Sequence, residues 1–505
     1  MKVVFVLFDS LNRHALGPYG GTDIPTPNFD RLAERTTVYD SHYVGSMPCM
    51  PARRDMMTGR LSFLHRSWGP LEPFDNAFPE MLAGVGVHSH LITDHYHYWE
   101  DGGATYHNRY SSFEFVRGQE ADPWKVDKSK DLGALGEKYH PKQRPDVRPL
   151  FTPYIVNREF ITEEADFPSA QTFARGIEFL DRNHAADDWL LQIETFDPHE
   201  PFHAPDRFKD AFRTGWNGPI RDWPTYGRNS ANDDPGEGDE LRANYRATLA
   251  HCDHHLGKIL DAFDAHGLWE DTALIVGTDH GFLLGEHDFW AKNRMTIYQE
   301  IANTPLFVHD PRAPRTGRVD AVTQSIDIAP TLLDLFGLAP APEMTGRSLV
   351  GETHHDAVIF GYFGGAVNIT DGHYTYHRYP EDIANQAINQ YTLMPTHLNS
   401  RFTPDELRDA TLHPPFAWTK GVPLLQIPVQ NRSPFYANYG PGSLLESETR
   451  LYDIDADPAQ AEPLSDPAVE ARLTARMVAL MADNDAPPEA YVRLGLAPAD
   501  AREPT

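Results

Sequence analysis

Residues that can bind metals or transfer protons follow four short apolar runs of this sequence. They are Asp9, His95, His97, Asp197, His199, Asp279 and His280. Ligands of open α/β sheets bind beyond the carboxyl ends of the strands, so we expect these side chains to converge at one sheet edge. Carboxylate oxygens with imidazole suit Ca²⁺, Mg²⁺ or Mn²⁺, and Asp9, Asp279 and His280 are the candidate ligands. The pattern favours a metal or acid–base site.

A second candidate site surrounds Cys49, one of two cysteines in the chain. Pro51 can occupy the first position of a helix and Gly59 can end it. Cys49 then lies at a helix N-terminus, where free backbone N–H groups bind anions, and Arg53 follows one turn later on the same face. The spacing of protein tyrosine phosphatases, with Arg six residues after Cys, is absent. The segment predicts a pocket for a sulfate- or phosphate-like group.

The other cysteine, Cys252, falls on the apolar stripe of a helical pattern and is interpreted as a core residue. Its neighbours His251 and His255 are one helical turn apart. That spacing could bind zinc, but the favoured interpretation is a pair of solvated histidines on a helix face.

The elements that position these residues alternate between strand-like and helical patterns. Helical periodicity is seen at 26–36 and from Tyr245 to Phe263. The apolar runs suit strands covered on both faces, as in a parallel sheet, and they are 3–8, 89–93, 189–196, 272–278 and 305–310. This alternation predicts an α/β fold.

A chain of 505 residues is long for one hydrophobic core. We expect a catalytic α/β domain at 1–350 and a smaller C-terminal domain at 351–505, with a short antiparallel sheet and a terminal helix at 468–484. The poorly patterned stretch at 380–440 is a candidate assembly arm of a homo-oligomer.

The formal net charge of -29 argues against nucleic acid or an anionic membrane as a partner. No apolar run approaches the roughly 18 residues of a membrane span. The N-terminal apolar segment runs directly into Asp9 and is interpreted as a first strand instead of a signal peptide. Two cysteines do not make a disulfide framework, so a cytoplasmic location is the expectation.

The segment "CMPAR" followed by "TGR" resembles the signature of formylglycine-dependent sulfatases, in the alkaline phosphatase superfamily. The blocks "DPHEPF", "GTDHGFLLGEHDFWAKNR" and "RLYDIDADPAQAEPL" are similar to later family blocks. The likeness extends from residue 1 to about 350 and to the C-terminal tail. It implies a large mixed, mostly parallel sheet sandwiched by helices, with a smaller C-terminal α+β domain.

The resemblance also implies roles for individual residues. One divalent ion, Ca²⁺ or Mn²⁺, would be held by Asp9, Asp279, His280 and the modified Cys49. Contacts to the sulfate would come from His95 and Ser10. The catalytic residues would be Cys49, Arg53 at the aldehyde hydrate, Lys292 at the sulfate oxygens, His199 as general acid and His97 as base.

In that family a formylglycine-generating enzyme converts the cysteine to an aldehyde. One hydroxyl of the hydrated aldehyde attacks sulfur and forms a covalent sulfate ester, while His199 protonates the leaving oxygen. Deprotonation of the second hydroxyl by His97 then expels sulfate. The implied partner is a small-molecule sulfate ester.

Two departures from the sulfatase pattern leave alternatives open. Ser10 follows Asp9 where many sulfatases have a second Asp, and His280 follows Asp279 where many have Asn. Both resemble the phosphonate monoester hydrolase branch, so a phosphonate monoester or phosphodiester hydrolase with promiscuous sulfatase activity is the first alternative. The second is a noncatalytic metal-binding relative with unmodified Cys49. The presence of Lys292, His199 and Arg53 together speaks against it, since a scaffold needs none of them.

Overall fold

The computed structural model describes residues 1–351, 354–430, 436 and 440–498. The strands are β1 (Lys2–Phe8), β2 (Thr37–Tyr39), β3 (His42–Tyr43), β4 (Ser46–Met47), β5 (His88–Thr93), β6 (Ser112–Phe115), β7 (Trp189–Glu194), β8 (Gly227–Arg228), β9 (Thr272–Thr278), β10 (Leu283–Leu284), β11 (Phe289–Ala291), β12 (Leu306–His309), β13 (Gly317–Val319), β14 (Thr323–Gln324), β15 (Val358–Tyr362), β16 (Val367–Thr370), β17 (Tyr374–Arg378), β18 (Asn389–Thr392), β19 (Thr411–His413), β20 (Leu424–Pro428) and β21 (Arg450–Asp453).

The α-helices are α1 (Pro27–Ala33), α2 (Cys49–Thr58), α3 (Phe78–Ala83), α4 (Ala104–His107), α5 (Leu132–Gly136), α6 (Phe151–Arg158), α7 (Pro168–Asn183), α8 (Asp206–Lys209), α9 (Glu237–His266), α10 (Gln299–Ala302), α11 (Ile328–Leu335), α12 (Pro404–Leu407), α13 (Pro467–Asp483) and α14 (Pro488–Arg493). The long helix predicted from its apolar stripe corresponds to α9, and the predicted terminal helix to α13.

An eight-stranded sheet in the order β13-β2-β12-β9-β1-β7-β5-β6 forms the centre of the molecule. Its strands are parallel except β12, which runs antiparallel to both β9 and β2. The apolar run at 305–310 is therefore a buried strand, as expected, but not a parallel one. Every residue of β1, β7 and β9 is buried, which explains their continuous apolar sequences.

Helices cover both faces of this sheet. Alternate residues of β1 point to opposite sides, so Val3, Phe5 and Leu7 pack in one core and Val4, Val6 and Phe8 in the other. The first core includes residues of α2, α3 and α11, and the second includes residues of α1, α7 and α9. The predicted α/β class, with a mostly parallel sheet sandwiched by helices, is confirmed.

The C-terminal part of the chain forms a second sheet in the order β21-β17-β16-β15-β4. It is antiparallel apart from the parallel pair β15 and β4, and α13 packs on it through Leu473, Met477 and Met481. Strand β4 comes from the N-terminal part, directly before Cys49. The second sheet is thus hydrogen-bonded to the strand that leads into the candidate site, while a domain boundary at residue 350 stays a prediction.

The poorly patterned stretch at 380–440 contains α12 and a small sheet in the order β18-β20-β19. This stretch contacts the N-terminal part of the chain, where the Gly102 N–H donates to the Leu398 carbonyl at 2.6 Å. Residues 431–435 and 437–439 of the predicted assembly arm lie outside the described residues. Across the described residues, no helix is both long enough and apolar enough to cross a bilayer.

Candidate active site

Helix α2 places Cys49 at its first position and ends at Gly59, which adopts the left-handed conformation with φ 65°. The predicted helix N-terminus at Cys49 is correct, but the helix begins two residues before Pro51. The Asp55 carboxylate accepts hydrogen bonds from the backbone N–H of Ser46 at 2.6 Å and of Ser62 at 3.0 Å. These bonds hold the chain on both sides of α2 in place.

Four candidate metal ligands converge at the carboxyl ends of β1 and β9. These strands are parallel neighbours in which Phe8 pairs with Thr278, so Asp9 and Asp279 emerge side by side. One donor atom from each of Asp9, Cys49, Asp279 and His280 lies within 4.8 Å of the other three. Cys49 Sγ is 3.2 Å from His280 Nε2 and 3.9 Å from Asp9 Oδ1. The structure brings together the four residues that the sequence grouped.

Arg53 lies behind this cluster and contacts three buried carboxylates. Its guanidinium is 3.0 Å from Asp9, 2.5 Å from Asp279 and 2.6 Å from Glu194. The Arg53 side chain also donates to the Cys49 carbonyl at 3.1 Å. The sequence prediction missed Glu194, although a carboxylate at the end of an apolar strand run was a usable indication.

Lys292, which directly follows β11, contacts the cluster through Ser10. Its Nζ donates to Ser10 Oγ at 3.0 Å, and Ser10 Oγ donates to Asp9 Oδ1 at 2.8 Å. The Ser10 backbone N–H also donates to Asp279 Oδ1 at 3.1 Å. Ser10 therefore orients both carboxylates, while the sulfate contact expected of it stays a prediction.

The charges of this cluster fit a divalent cation. Three carboxylates (Asp9, Asp279 and Glu194) face two cations (Arg53 and Lys292), and each of the five side chains is at most 2% exposed. Fully ionised, the five groups sum to one negative charge, so a divalent ion would leave one positive charge for an anion. Asp9 Oδ2 is 3.0 Å from Arg53 Nη2, yet neither atom makes a hydrogen bond within the described part of the chain.

The pKa values support this fit. Burial, together with the charge of Asp9, raises the pKa of Asp279 to about 8. Burial also opposes ionisation of Asp9, but His199, Arg53 and Lys292 outweigh it and hold the pKa of Asp9 well below its usual range. Burial and nearby Lys292 lower the pKa of His280 to about 3. One carboxylate, one protonated carboxyl and one neutral imidazole thus face each other, and a cation would replace the proton.

The remaining predicted histidines lie at two depths. His95 is fully buried with Nε2 3.5 Å from Asp9 Oδ2, and neither ring nitrogen makes a hydrogen bond to any described residue. His97 lies in the pocket wall, with Nδ1 2.6 Å from Glu100 and Nε2 3.9 Å from Glu120. Burial opposes protonation of His97, but the charge of Glu100 outweighs it and raises its pKa.

A pocket of about 550 Å³ opens onto Cys49. His199, Glu200 and Lys292 share its lining with Cys49, and aromatic walls come from Trp68, Tyr96, Trp223 and Tyr226. His199 Nδ1 lies 2.5 Å from the Glu200 carbonyl oxygen, so the other ring nitrogen, Nε2, points away from that backbone group. Burial, and next the charge of Lys292, lower the pKa of His199.

Glu200 is a pocket residue that the sequence prediction missed. Its side chain is 1% exposed, Oε1 accepts from the Tyr226 hydroxyl, and Oε2 makes no hydrogen bond to a described residue. Burial raises its pKa to about 7. The indication in the sequence was its position in "DPHEPF", directly after the candidate general acid His199.

The comparison with known proteins now decides the family. The sulfatase family model matches residues 2–338. The chain belongs to the sulfatase family. This sulfatase is a sulfuric ester hydrolase, as the resemblance of its motifs predicted. The model of the N-sulphoglucosamine sulphohydrolase C-terminal region also matches, at residues 285–393.

Among its relatives is an arylsulfatase of Clostridium perfringens (strain 13 / Type A). It is 24% identical over 383 residues, which cover 69% of this sulfatase and 77% of the relative. Two solved structures share the fold with a TM-score of 0.64. One is BT4656 in complex with its substrate D-glucosamine-2-N,6-O-disulfate, at 16% identity, covering 97% of this chain and 99% of that chain. The other is the phosphonate monoester hydrolase of Agrobacterium radiobacter, at 18% identity, covering 96% of each chain.

Proposed function

We propose that this sulfatase hydrolyses small sulfate monoesters, as arylsulfatases do, with a formylglycine hydrate derived from Cys49 at a divalent metal. The observation that carries the proposal is the position of Cys49. It begins α2, faces donor atoms of Asp9, Asp279 and His280, and opens onto a pocket that also contains Lys292. A core cysteine would need none of these neighbours.

Two groups supply chemistry beyond the encoded side chains. Formylglycine would supply a hydrated aldehyde whose one hydroxyl forms the covalent sulfate ester and whose other hydroxyl allows the sulfate to leave. A divalent ion, Ca²⁺ or Mn²⁺, would be held by Asp9, Asp279, His280 and the modified residue 49, and would supply Lewis acidity.

The chain's own residues bind and orient the sulfate group. Burial disfavours a charge on Lys292, but the acidic groups around it, Cys49 first and then Glu200 and Asp9, outweigh it and raise its pKa. The carboxyl groups remain when residue 49 is formylglycine, so the ammonium stays charged next to the nucleophile position. The free backbone N–H groups at the start of α2 add positive potential at the same point. Arg53 is engaged by three carboxylates and holds the ligands in place while it adds charge.

Proton transfer falls to His199 and His97. His199 faces the pocket with its Nδ1 fixed on the Glu200 carbonyl. The same Lys292 charge that lowers its pKa is balanced once an anionic sulfate lies in the pocket, so substrate binding favours the protonated, acid form. His97, raised in pKa by Glu100, is the candidate base for release of the sulfate.

The two cysteines provide a matched test of this proposal. In protein co-produced with a formylglycine-generating enzyme, Cys49→Ala is expected to lower the kcat for an aryl sulfate by roughly 10³–10⁶-fold. Cys252→Ala removes a buried thiol of α9 and is expected to keep the rate, because Cys252 packs in the core on that side of the sheet. Equal loss in both variants, or retention of activity in Cys49→Ala, would refute the proposal.

The second candidate is a phosphonate monoester or phosphodiester hydrolase with promiscuous sulfatase activity. It is favoured by Ser10 and His280, which stand where many sulfatases have Asp and Asn. Comparing kcat/KM for an aryl sulfate, an aryl phosphonate monoester and an aryl phosphodiester on one preparation separates the two. A sulfate efficiency lower by orders of magnitude would favour the second candidate.

Three further expectations stay predictions. A formylglycine-generating enzyme is the expected maturation partner, the protein is expected to form a homo-oligomer, and its location is expected to be cytoplasmic.

A further inference from the structure

A second group of metal-binding side chains lies on α9, outside the active site. His251 and His255 are one turn apart, and their Nε2 atoms face each other at 2.8 Å. The prediction that these histidines are solvated is wrong: they are 0% and 1% exposed, because α9 packs against α7 and α8. A carboxylate oxygen of Glu164 lies within 4.8 Å of one ring nitrogen of each histidine.

The surroundings of His251 direct its Nε2 toward this group. Its Nδ1 is 3.5 Å from the Ser169 hydroxyl and 4.0 Å from Asp197 Oδ2. A ring that holds its proton at Nδ1, toward an oxygen acceptor, presents a lone pair at Nε2, which is the usual arrangement of histidines that bind metals.

His255 gives the same group a second imidazole. Its Nδ1 is buried without a hydrogen-bond partner among the described residues, so Nε2 carries the proton that is donated to His251 across the 2.8 Å contact. Binding of a cation at Nε2 would move this proton to Nδ1. Burial holds the pKa of His251 at about 3 and that of His255 at about 2, so both rings are neutral, as metal ligands must be. Two neutral imidazoles and a carboxylate match the ligand set of three-ligand zinc sites.

Glu164 is also paired with Arg207, which limits the free charge of the carboxylate. The guanidinium of Arg207 contacts both carboxylate oxygens, at 2.5 and 2.6 Å. The Arg207 side chain is 50% exposed, so it can turn into solvent at little cost when a cation arrives. Tetrahedral zinc places two nitrogen ligands about 3.3 Å apart, so the imidazoles need to separate by about half an ångström.

We propose that His251, His255 and Glu164 form a second metal site that binds Zn²⁺, with an open position toward solvent at the partly exposed Glu164. The site differs in chemistry from the catalytic cluster, which offers two carboxylates to a harder ion. Asp197, which lies 4.0 Å from His251 Nδ1, begins the loop that carries His199. An ion bound at His251 would therefore stabilise the position of this loop.

The test counts and compares metal ions in the folded protein. After chelator treatment, wild-type protein and variants are titrated with Zn²⁺, and with Co²⁺ for its tetrahedral absorption, and bound metal is measured by mass spectrometry. His255→Asn is expected to lose one equivalent of Zn²⁺ relative to wild type. Glu164→Gln is expected to weaken this site by about tenfold or more, since even loss of a ligand's polar partner costs that much.

Arg207→Gln provides the opposite expectation, because removing the competing guanidinium should tighten Zn²⁺ binding. His266→Asn, at the C-terminal end of the same helix and paired there with Asp181, is the control and should leave Zn²⁺ binding unchanged. Equal stoichiometry and affinity in wild type and His255→Asn would overturn the proposal. If His255→Asn fails to fold, the absence of opposed shifts in Glu164→Gln and Arg207→Gln would overturn it, independently of any result at Cys49.

Discussion

Arg53 is the cation that three buried carboxylates of the candidate active site share. It is 2% exposed and contacts Asp9, Asp279 and Glu194, which come from the ends of three different strands. A buried carboxylate without a counter-charge is costly, so one guanidinium allows three carboxylates to share one small volume. The "CMPAR" motif therefore contributes both the proposed nucleophile precursor, Cys49, and the charge that holds the candidate metal ligands together.

Replacing Arg53 tests this role through stability. Arg53→Met keeps an unbranched aliphatic stem but removes the guanidinium that three buried carboxylates share. We expect the free energy of unfolding in urea to fall by about 3–5 kcal/mol. The control is Arg31→Met, which removes an exposed pair with Asp261 and Asp264 and should cost less than about 1 kcal/mol. Similar losses of unfolding free energy in both variants would contradict the interpretation that Arg53 compensates the charge of the three buried carboxylates.

Glu200 predicts the pH dependence of the reaction. Burial raises its pKa to about 7, so the carboxyl is neutral below pH 7 and negatively charged above it. A negative charge beside Lys292 in the pocket repels a sulfate anion. The kcat/KM for an aryl sulfate should therefore fall as pH rises through about 7, and Glu200→Gln should lose this decline.

The control for net charge is Glu178→Gln, whose carboxyl is 61% exposed and pairs with Arg182 at the surface. It should keep the wild-type profile. If the kcat/KM of Glu200→Gln still fell with pH at the wild-type midpoint, a group other than Glu200 would be responsible for the decline.

The site could be predicted from the sequence to the extent that its residues follow recognisable strands or lie in a family motif. Asp9, Cys49, Asp279 and His280 satisfied both conditions and do converge. Glu194 ends a strand and Glu200 lies in a family block, but their role arises from burial next to distant partners, which the sequence does not show. His251 and His255 were misplaced for the same reason: periodicity showed a helix face, but not the helices that cover it.

Among the secondary-structure elements, α2 positions the catalytic group through contacts at both ends. At its N-terminal end, α2 follows strand β4, which pairs with β15 of the second sheet. At its C-terminal end, Gly59 adopts the left-handed conformation. The sequence predicted the helix and its end at Gly59, but placed the first helical residue at Pro51, two residues too late. It could not predict the pairing of β4 with β15 or the antiparallel β12, because these depend on chain segments far apart in sequence.

Gly59 and Gly267 have the same backbone conformation, so comparing their Ala variants tests how closely the end of α2 is packed. Gly59 has φ 65° and Gly267, after α9, has φ 66°. A Cβ at Gly59 would meet Met344 Cγ at 3.0 Å, whereas nothing lies within 4 Å at Gly267. Both Ala variants should lose about 1–2 kcal/mol of unfolding free energy from the left-handed backbone, and Gly59→Ala should lose more. A larger loss in Gly267→Ala would show that Met344 does not constrain the turn.

At the scale of the whole molecule, the net charge of -29 opposes the approach of any anion, while Lys292 and the start of α2 attract one locally. Long-range repulsion is screened by salt, with a Debye length of about 10 Å at 0.1 M, whereas buried contacts are screened much less. The net negative charge of the molecule thus slows the approach of an anionic substrate, whereas the local positive charges of the site favour its binding.

Raising the ionic strength should therefore increase kcat/KM for a small aryl sulfate, by roughly a fewfold between about 0.01 and 0.1 M salt. The kcat at saturating substrate should stay constant, which serves as the internal control. A decrease of kcat/KM with salt would mean that local attraction by the site outweighs the overall charge.

The central claim concerns the chemical state of residue 49, and the mass of one peptide tests it most directly. Trypsin releases residues 36–53, and the peptide with Cys252 at residues 247–258 is the control. In fully active protein, we expect an aldehyde or its hydrate in place of the Cys49 thiol and an unchanged thiol at Cys252. An unmodified Cys49 in preparations whose sulfatase activity is undiminished would contradict the account.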